Sequence, residues 1–197
     1  MTTRRRPSDI RAYITLEVFD SQGKRTGYRR FRSRSFTQAF LAILLVQMSN
    51  AGVQPSVPAI TNVSSALLEE PTNFKIVTAA AALGVVVGSG STAVVVTDYA
   101  LGTIIGDGTG SGQLSHGLQV ISSLSVSDPN ASFTVRRDFT NSSGASITVN
   151  EVGLYGHCQN AESITSVFLM LRDIIAGGQA VADGSTLRVT YTIQTST

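Results

Sequence analysis

The sequence of 197 residues has no tryptophan, one cysteine and two histidines. The single Cys158 excludes a disulfide framework within the chain and a cysteine-rich zinc site. His116 and His157 are too far apart to predict a metal site without help from carboxylates. Charged residues make up only 14% of the chain, against about 25% in an average soluble protein. This low charge indicates that neighbouring molecules cover much of the surface.

Long apolar runs and catalytic motifs are missing as well. The most apolar run, residues 39–46, is far shorter than the roughly 20 residues of a membrane-spanning helix. A secretory signal is not predicted, because residues 10–20 alternate in polarity and carry charges. The glycine-rich stretch 106–112 is not followed by Gly-Lys-Ser/Thr, and no Gly-x-Ser-x-Gly motif occurs. We therefore expect a protein that is not an enzyme, uses no cofactor or metal, and has no membrane partner.

The charge that is present is divided unevenly along the chain. Residues 1–34 have a net charge of +7, and residues 35–197 have a net charge of −5. This division is typical of a basic surface for nucleic acid, or of a head-to-tail contact between a basic end and an acidic body. We favour the head-to-tail contact, and non-specific DNA binding remains the alternative. The candidate contact residues are Arg25, Arg29, Arg30, Arg32 and Arg34.

An alternating pattern at the start of the chain predicts a β-hairpin. Ala12, Ile14, Leu16 and Val18 fall on one face of a half-buried strand. Residues 21–24 supply a turn, after which the arginine-rich stretch can return as the second strand.

A helical pattern follows the hairpin. Ser35 is the predicted N-cap, and Gly52 stands just past the end of the pattern. Because the segment is apolar around much of its circumference, we expect a helix buried either in the core or between subunits. The residues expected at that core or subunit interface are Phe36, Phe40, Leu44 and Met48.

Most of the remaining chain is predicted to form short strands. Turn residues such as those at 88–90, 128–130, 141–144 and 183–184 separate them. This spacing predicts a mainly β protein with an antiparallel β-sandwich or jelly-roll-like body. The predicted units are a docking region of hairpin and helix (1–50), a linker or arm (51–73) and the β-sandwich body (74–197). The predicted strands of the body are 74–78, 83–87, 93–97, 118–126, 132–140, 146–155, 166–172 and 186–194.

Two motifs of the C-terminal half resemble a known group of proteins. Their sequences are Asn150-Glu-Val-Gly-Leu-Tyr155 and Asp183-Gly-Ser-Thr-Leu-Arg-Val-Thr-Tyr-Thr-Ile193, with Leu171-Arg-Asp173 between them. Together with residues 98–101 and 108–114, they resemble β-modules of tailed-bacteriophage structural proteins, including tail-fibre and collar-type proteins. The resemblance covers roughly residues 85–194, and its motifs are structural.

The resemblance implies a virion protein that works by forming homo-oligomers and by docking to other virion proteins. Neck, tail and fibre attachment are the expected places, and the basic hairpin and helix are the expected docking end. A capsid decoration protein is one alternative. Another is a receptor- or carbohydrate-binding module that uses the loops 106–112 and 157–162.

The first motif also has a physical interpretation. Glu151 follows apolar alternation, and a buried carboxylate needs a partner. Arg136, Arg137 or Arg172 could supply that partner. We therefore predict a structural ion pair inside the sandwich, with a receptor contact through Glu151 as the alternative.

Overall fold

The computed structural model describes residues 9–48, 56–60, 62–67, 76, 82–159 and 165–196. These residues form mainly antiparallel strands, together with one helix, which confirms the predicted fold class. In chain order the elements are β1 (Asp9–Phe19), β2 (Arg25–Ser33), α1 (Gln38–Met48), β3 (Ser56–Ala59), β4 (Asn62–Leu67), β5 (Gly84–Gly88), β6 (Ser115–His116), β7 (Val120–Ile121), β8 (Ser125–Ser127), β9 (Asn130–Thr140), β10 (Ile147–Gln159), β11 (Thr165–Val181) and β12 (Thr186–Ser196).

The larger sheet has the strand order β2-β1-β12-β9-β6, and β7 and β8 also pair with β9. β1 pairs with β12 along its whole length, from Asp9 opposite Ser196 to Phe19 opposite Thr186. The predicted hairpin is present as β1 and β2. Because β1 is an inner strand of this sheet, the hairpin shares a sheet with β9 and β12. The boundary predicted near residue 50 therefore does not separate the hairpin from the body.

The smaller sheet has the order β11-β10-β5 and packs face to face on the larger one. The predicted inward residues of β1 are 0–7% exposed, and Leu187, Val189 and Tyr191 of β12 are fully buried. Strict alternation produces this result, since one face of each strand meets the core. The core joins these residues to apolar side chains of the smaller sheet, among them Val85, Val87, Val152, Leu154 and Phe168.

The segment before α1 is extended rather than helical, so the predicted cap at Ser35 is wrong. The carbonyl of Ser35 accepts a hydrogen bond from the Arg172 amide at 3.2 Å, and Phe36 pairs with Leu171. This pairing satisfies backbone hydrogen-bonding groups at the outer edge of β11, and the helix therefore begins only at Gln38. Thr37 precedes the helix and donates its hydroxyl to the carbonyl of Leu169.

The helix buries one side only. Its buried residues are Ala39, Ala42, Ile43 and Val46, and Phe36 and Phe40 are partly buried against the core. Leu44 and Met48 are 38% and 79% exposed, so a place for them in the core of one subunit is excluded. The interface alternative for these two residues stays a prediction.

Three predicted segments of the chain differ from the expectation. The described part of the predicted linker contains the hairpin of β3 and β4, and Ile60 next to it donates to the carbonyl of Val167 at 2.8 Å. Residues 93–97 do not form a strand, and 118–126 is broken into β7 and the start of β8. The strand predicted at 74–78 lies outside the described residues except for Ile76.

Candidate interaction site

Residues 89–105 form a loop, here called the anchored loop, that crosses the outer face of the smaller sheet. Glu151 and Tyr155 of β10 point toward this loop, whereas Val152 and Leu154 point into the main core. Leu101 of the loop packs with Tyr155 in a second apolar cluster, together with Val86 and Leu169. Because side chains alternate along residues 150–155, β10 contacts the main core on one face and the anchored loop on the other.

The carboxylate of Glu151 holds the anchored loop through its backbone. The side chain is 0% exposed. Its Oε1 accepts the amides of Gly90 at 3.0 Å and Thr103 at 2.9 Å, and its Oε2 accepts the amide of Gly102 at 3.1 Å. Three amide donors and a cation are the kind of environment that stabilises a buried negative charge.

That cation is Arg172, whose Nε lies 2.9 Å from Glu151 Oε2. Its Nη1 contacts Asp98 Oδ2 at 2.8 Å, and its Nη2 donates to the carbonyl of Thr92 at 3.2 Å. Burial acts to lower the pKa of Arg172, but hydrogen bonds to Asp98 and Glu151 outweigh it and raise the pKa. The predicted ion pair is thus present with Arg172. The alternative receptor contact through Glu151 is wrong, because its carboxylate is fully buried.

The other two predicted partners of Glu151 lie elsewhere. Arg137 is 2% exposed and donates to the carbonyls of Gly117, Leu83 and Val85 at 2.7, 3.1 and 3.2 Å. Burial lowers its pKa. Arg136 is partly exposed and its neighbour on β12 is Thr190. Both were wrongly proposed as partners, because β9 belongs to the larger sheet and Glu151 faces away from that sheet.

Packing explains why a glycine occupies position 153 of the motif. A Cβ at Gly153 would lie 3.0 Å from Leu101, 3.1 Å from Leu169 and 3.2 Å from Tyr155. The hydroxyl of Tyr155 accepts the amide of Leu101 at 2.7 Å, and burial raises the pKa of this tyrosine. Glu151, Gly153 and Tyr155 therefore act together to fix the anchored loop.

The anchored loop also supports α1. The amide of Gln38, at the first turn of the helix, donates to the carbonyl of Val96 at 2.8 Å. Asp98 accepts the amide of Val95 at 3.0 Å and binds Arg172, so the turn beneath the helix is connected to the buried ion pair. Sequence patterns did not indicate this role of Asp98, because Arg172, the cation that it binds, is distant in the chain.

Three of the five candidate contact arginines are engaged within the chain. Arg29 donates to the carbonyls of Ala176 and Gly178, both at 2.7 Å. Arg25 pairs with Glu17 at 2.8 Å and Arg32 pairs with Asp9 at 3.2 Å. The described residues offer no acidic partner to the remaining two, Arg30 and Arg34, both of which are exposed. The predicted contact surface is therefore smaller than the sequence indicates, and its DNA or protein partner stays a prediction.

Among the described residues, two surface groups each contain at least four exposed large apolar side chains. The first, the helix face, lies on α1 and is 38–79% exposed; it consists of Leu41, Leu44, Leu45 and Met48. The second, the strand strip, lies along the side of β9 that faces away from β12 and is 44–73% exposed. It consists of Leu118, Val120, Ile121, Leu124 and Val126. The sequence indicated apolar character at both places but not exposure.

The glycine-rich stretch 106–112 is a compact turn. The amide of Gly108 donates to the carbonyl of Leu114 at 3.2 Å, and the amide of Leu114 donates to the carbonyl of Gly106 at 3.1 Å. Gln113 Oε1 accepts the amide of Gly110 at 3.0 Å. Asp107 accepts the amide of His116 at 2.8 Å. Within the described ranges, no three His, Cys, Asp or Glu side chains gather into a metal-binding group.

The described geometry defines an antiparallel β-sandwich with a helix at one edge. In those residues, no helix is long and apolar enough to cross a membrane. The chain matches no family model, no curated protein and no solved structure.

Proposed function

We propose that this chain is a non-enzymatic structural subunit that works by self-association. The observation that carries the proposal is the helix face. α1 has neither an acidic residue in its first turn nor a basic residue in its last turn, and its solvent side carries four large apolar residues. Exposed apolar groups of this kind typically mark interaction sites.

The helix face alone provides a limited association energy. Full burial of one large apolar side chain contributes about 1.5–3 kcal/mol. Since these four are already partly buried, roughly 3–6 kcal/mol remains to be gained on the same scale. Association costs an estimated 4–15 kcal/mol in lost freedom of motion. A stable assembly therefore needs a second contact surface.

The finer proposal is a virion subunit of a tailed phage, at the neck, tail or fibre attachment. It is supported by the resemblance of residues 150–155 and 183–193 to phage β-modules. The contacts of Glu151, Gly153 and Tyr155 give the first motif a structural task, as expected for a building block. In this proposal, the helix face meets other copies or other virion proteins.

The test is the mass of the purified chain over a range of micromolar concentrations, measured by sedimentation. We expect oligomers, and we expect Leu41→Glu with Leu45→Glu to lower the mass. The control, Ser21→Glu with Gln22→Glu, adds the same charge to an exposed turn and should leave the mass unchanged. Circular dichroism of both variants checks folding. A wild-type chain that stays monomeric would overturn the proposal.

The phage assignment has its own test. Antibodies against the chain should label purified phage particles from the lysate in which the chain is made. Absence of the chain from such particles, with free oligomers in the lysate, would reject the virion role and keep the assembly role.

A further inference from the structure

The two exposed apolar groups lie at opposite edges of the sandwich. α1 stands beside β11, at the edge where β2 of the larger sheet meets β11 of the smaller sheet. Arg29 and the 2.6 Å bond from the Ser33 hydroxyl to Asp173 join these two strands. At the other edge, Arg137 of β9 binds the carbonyls of Leu83 and Val85, and the strand strip pairs with the far side of β9.

Exposed arginines lie at the edge that carries the helix, and exposed aspartates lie at the other edge. At the edge that carries the helix, Arg25 and Arg32 pair with Glu17 and Asp9. Arg30 and Arg34 are exposed there, and no acidic side chain of the described residues pairs with theirs. Residues 104–131, which contain the strand strip, include the exposed Asp107 and Asp128 and no lysine or arginine, and Arg136 of β9 lies opposite Val120 of the strip. Beside the two apolar surfaces, Arg30 and Arg34 at one edge can thus complement Asp107 or Asp128 at the other.

We propose that copies of this chain associate head to tail, with the helix face of one copy on the strand strip of the next. This inference rests on the proposed self-association and specifies its mode. The alternative, a two-fold contact of helix face on helix face, would bring the arginine-rich β2 edges of two copies together. Like charges at an interface disfavour that arrangement. The head-to-tail contact instead brings the edge with Arg30 and Arg34 toward the edge with Asp107 and Asp128.

A head-to-tail contact uses two different surfaces of each copy. Every subunit then has one occupied helix face and one occupied strand strip. Such contacts generate closed rings when the rotation between neighbours closes, and filaments when it does not. The number of copies in a ring follows from that rotation angle and is measured by the experiment.

The test uses one variant for each surface. Leu41→Glu with Leu45→Glu disables the helix face, and Leu124→Glu with Val126→Glu disables the strand strip. These four side chains are 49–73% exposed, so the variants are expected to fold. Each variant alone should be monomeric, because each lacks one of its two surfaces. A 1:1 mixture should form a species of two subunits and nothing larger, because only one intact pair of surfaces remains.

Several outcomes would overturn this inference. If the strand-strip variant keeps the wild-type mass while the helix-face variant is monomeric, the contact is two-fold, and self-association survives without this mode. If the mixture stays monomeric, or if both variants keep the wild-type mass, the head-to-tail contact is wrong. A monomeric wild-type chain removes the proposed function as well. Milder variants, Leu45→Ser and Leu124→Ser, replace any glutamate variant that loses its circular dichroism signal.

Salt dependence provides an independent measurement. The dissociation constant of the wild-type oligomer should rise with ionic strength, since opposite charges meet across the contact. Asp128→Lys should raise this constant roughly fivefold at low salt. Asp183→Asn, in a turn away from both surfaces, is the control and should have no effect. An Asp128→Lys variant with unchanged affinity and unchanged salt dependence would contradict the charge pairing that the inference uses.

Discussion

Arg29 and Arg137 lie at opposite edges of the sandwich, and each reaches from the larger sheet to backbone carbonyls of the smaller one. Arg29 binds Ala176 and Gly178, and Arg137 binds Leu83 and Val85. Neither contact is an ion pair. A guanidinium group with five donors suits this task, because it can satisfy several carbonyls that have no strand beside them.

The two arginines should differ in their contribution to stability. Arg137→Met should lower the free energy of unfolding by about 2–3 kcal/mol, because buried carbonyls lose their donor. Gln119 also donates to Leu83 at 2.9 Å, which limits the loss. Arg29→Met should cost only about 1 kcal/mol, since this edge is partly exposed and water replaces the donor. Urea unfolding measures both.

Arg30→Met is the matched control for these substitutions. Arg30 is exposed and lies over the ring of Tyr13 at 4.8 Å. Its replacement should change stability by less than about 0.5 kcal/mol. Equal losses for all three variants would contradict the bridging role of Arg29 and Arg137.

Removing the charge of Glu151 should release the anchored loop. In Glu151→Gln, the amide nitrogen would face donors of Gly102 or Arg172, and Arg172 would lose a buried counter-ion. The expected loss is about 3–5 kcal/mol in the free energy of unfolding. Hydrogen exchange at the amides of Gly90 and Thr103 should accelerate more than exchange in β1. Glu17→Gln, at the more exposed ion pair with Arg25, should cost less than about 1 kcal/mol. A loss as large as that of Glu151→Gln would show that burial does not set the two ion pairs apart.

A methyl group at position 153 should disturb the packing of the anchored loop. Gly153→Ala places a Cβ within 3.0–3.2 Å of three side chains. Overpacking of this kind costs about 1–3 kcal/mol. Gly27→Ala is the control, because its nearest contact would be an ordinary 3.4 Å to Val18. Thermal unfolding of the two variants should therefore differ, and equal midpoints would argue against a tight loop contact.

The stability of the protein should depend on pH through Asp173. Burial raises the pKa of this carboxyl to about 6, outweighing hydrogen bonds from Ser33 and Arg34, against 3.8 for an ordinary Asp. The folded protein therefore holds this proton more tightly than the unfolded chain does. The resulting stabilisation is complete below about pH 4 and is lost as the pH rises through 6.

This contribution can be isolated with Asp173→Asn. Between pH 4 and 7, the unfolding free energy of the variant relative to wild type should rise by roughly 3 kcal/mol at most. Comparison at each pH removes the effects of other carboxylates, because these are common to both proteins. A difference that is constant over this range would rule out a raised pKa at Asp173.

Tyr191 offers a stabilising substitution. Its ring lies in the core, and its buried hydroxyl has no hydrogen-bond partner in the described part of the chain. Burial raises its pKa well above the ordinary value. Tyr191→Phe should raise the free energy of unfolding by about 1 kcal/mol, because an unsatisfied polar group is removed. A loss of stability in urea unfolding would show that the hydroxyl has a partner.

Local periodicity was sufficient for the strands of the larger sheet. β1 and β12 each have one buried face, with residues such as Leu16 and Val189, and one face toward solvent. The resulting period of two is visible in the sequence. The same reasoning failed at 93–97, where three valines favour a strand. A local contact and a distant one decided the outcome there, because Asp98 accepts the amide of Val95 and Gln38 of α1 donates to the carbonyl of Val96.

The helix and the buried ion pair show the same limit. α1 is apolar on nearly all sides, so its sequence cannot indicate whether Ile43 or Leu44 faces the core. For Glu151, the sequence predicted burial and a cationic partner but left three arginines open. Only the arrangement of the two sheets excludes Arg137 and selects Arg172. Faces and partners therefore depend on topology, which single-strand patterns do not contain.

The arginines of β2 have a consequence for the proposed assembly. β2 ends the larger sheet, and no strand pairs with its outer side among the described residues. An open strand edge at high local concentration invites pairing with an identical edge and growth into fibrils. Arg25 and Arg32 are paired with Glu17 and Asp9, whereas the exposed Arg30 adds a positive charge by which that edge repels its own copies. In the proposed assembly, this repulsion keeps copies that are joined by side-chain contacts from polymerising through their backbones.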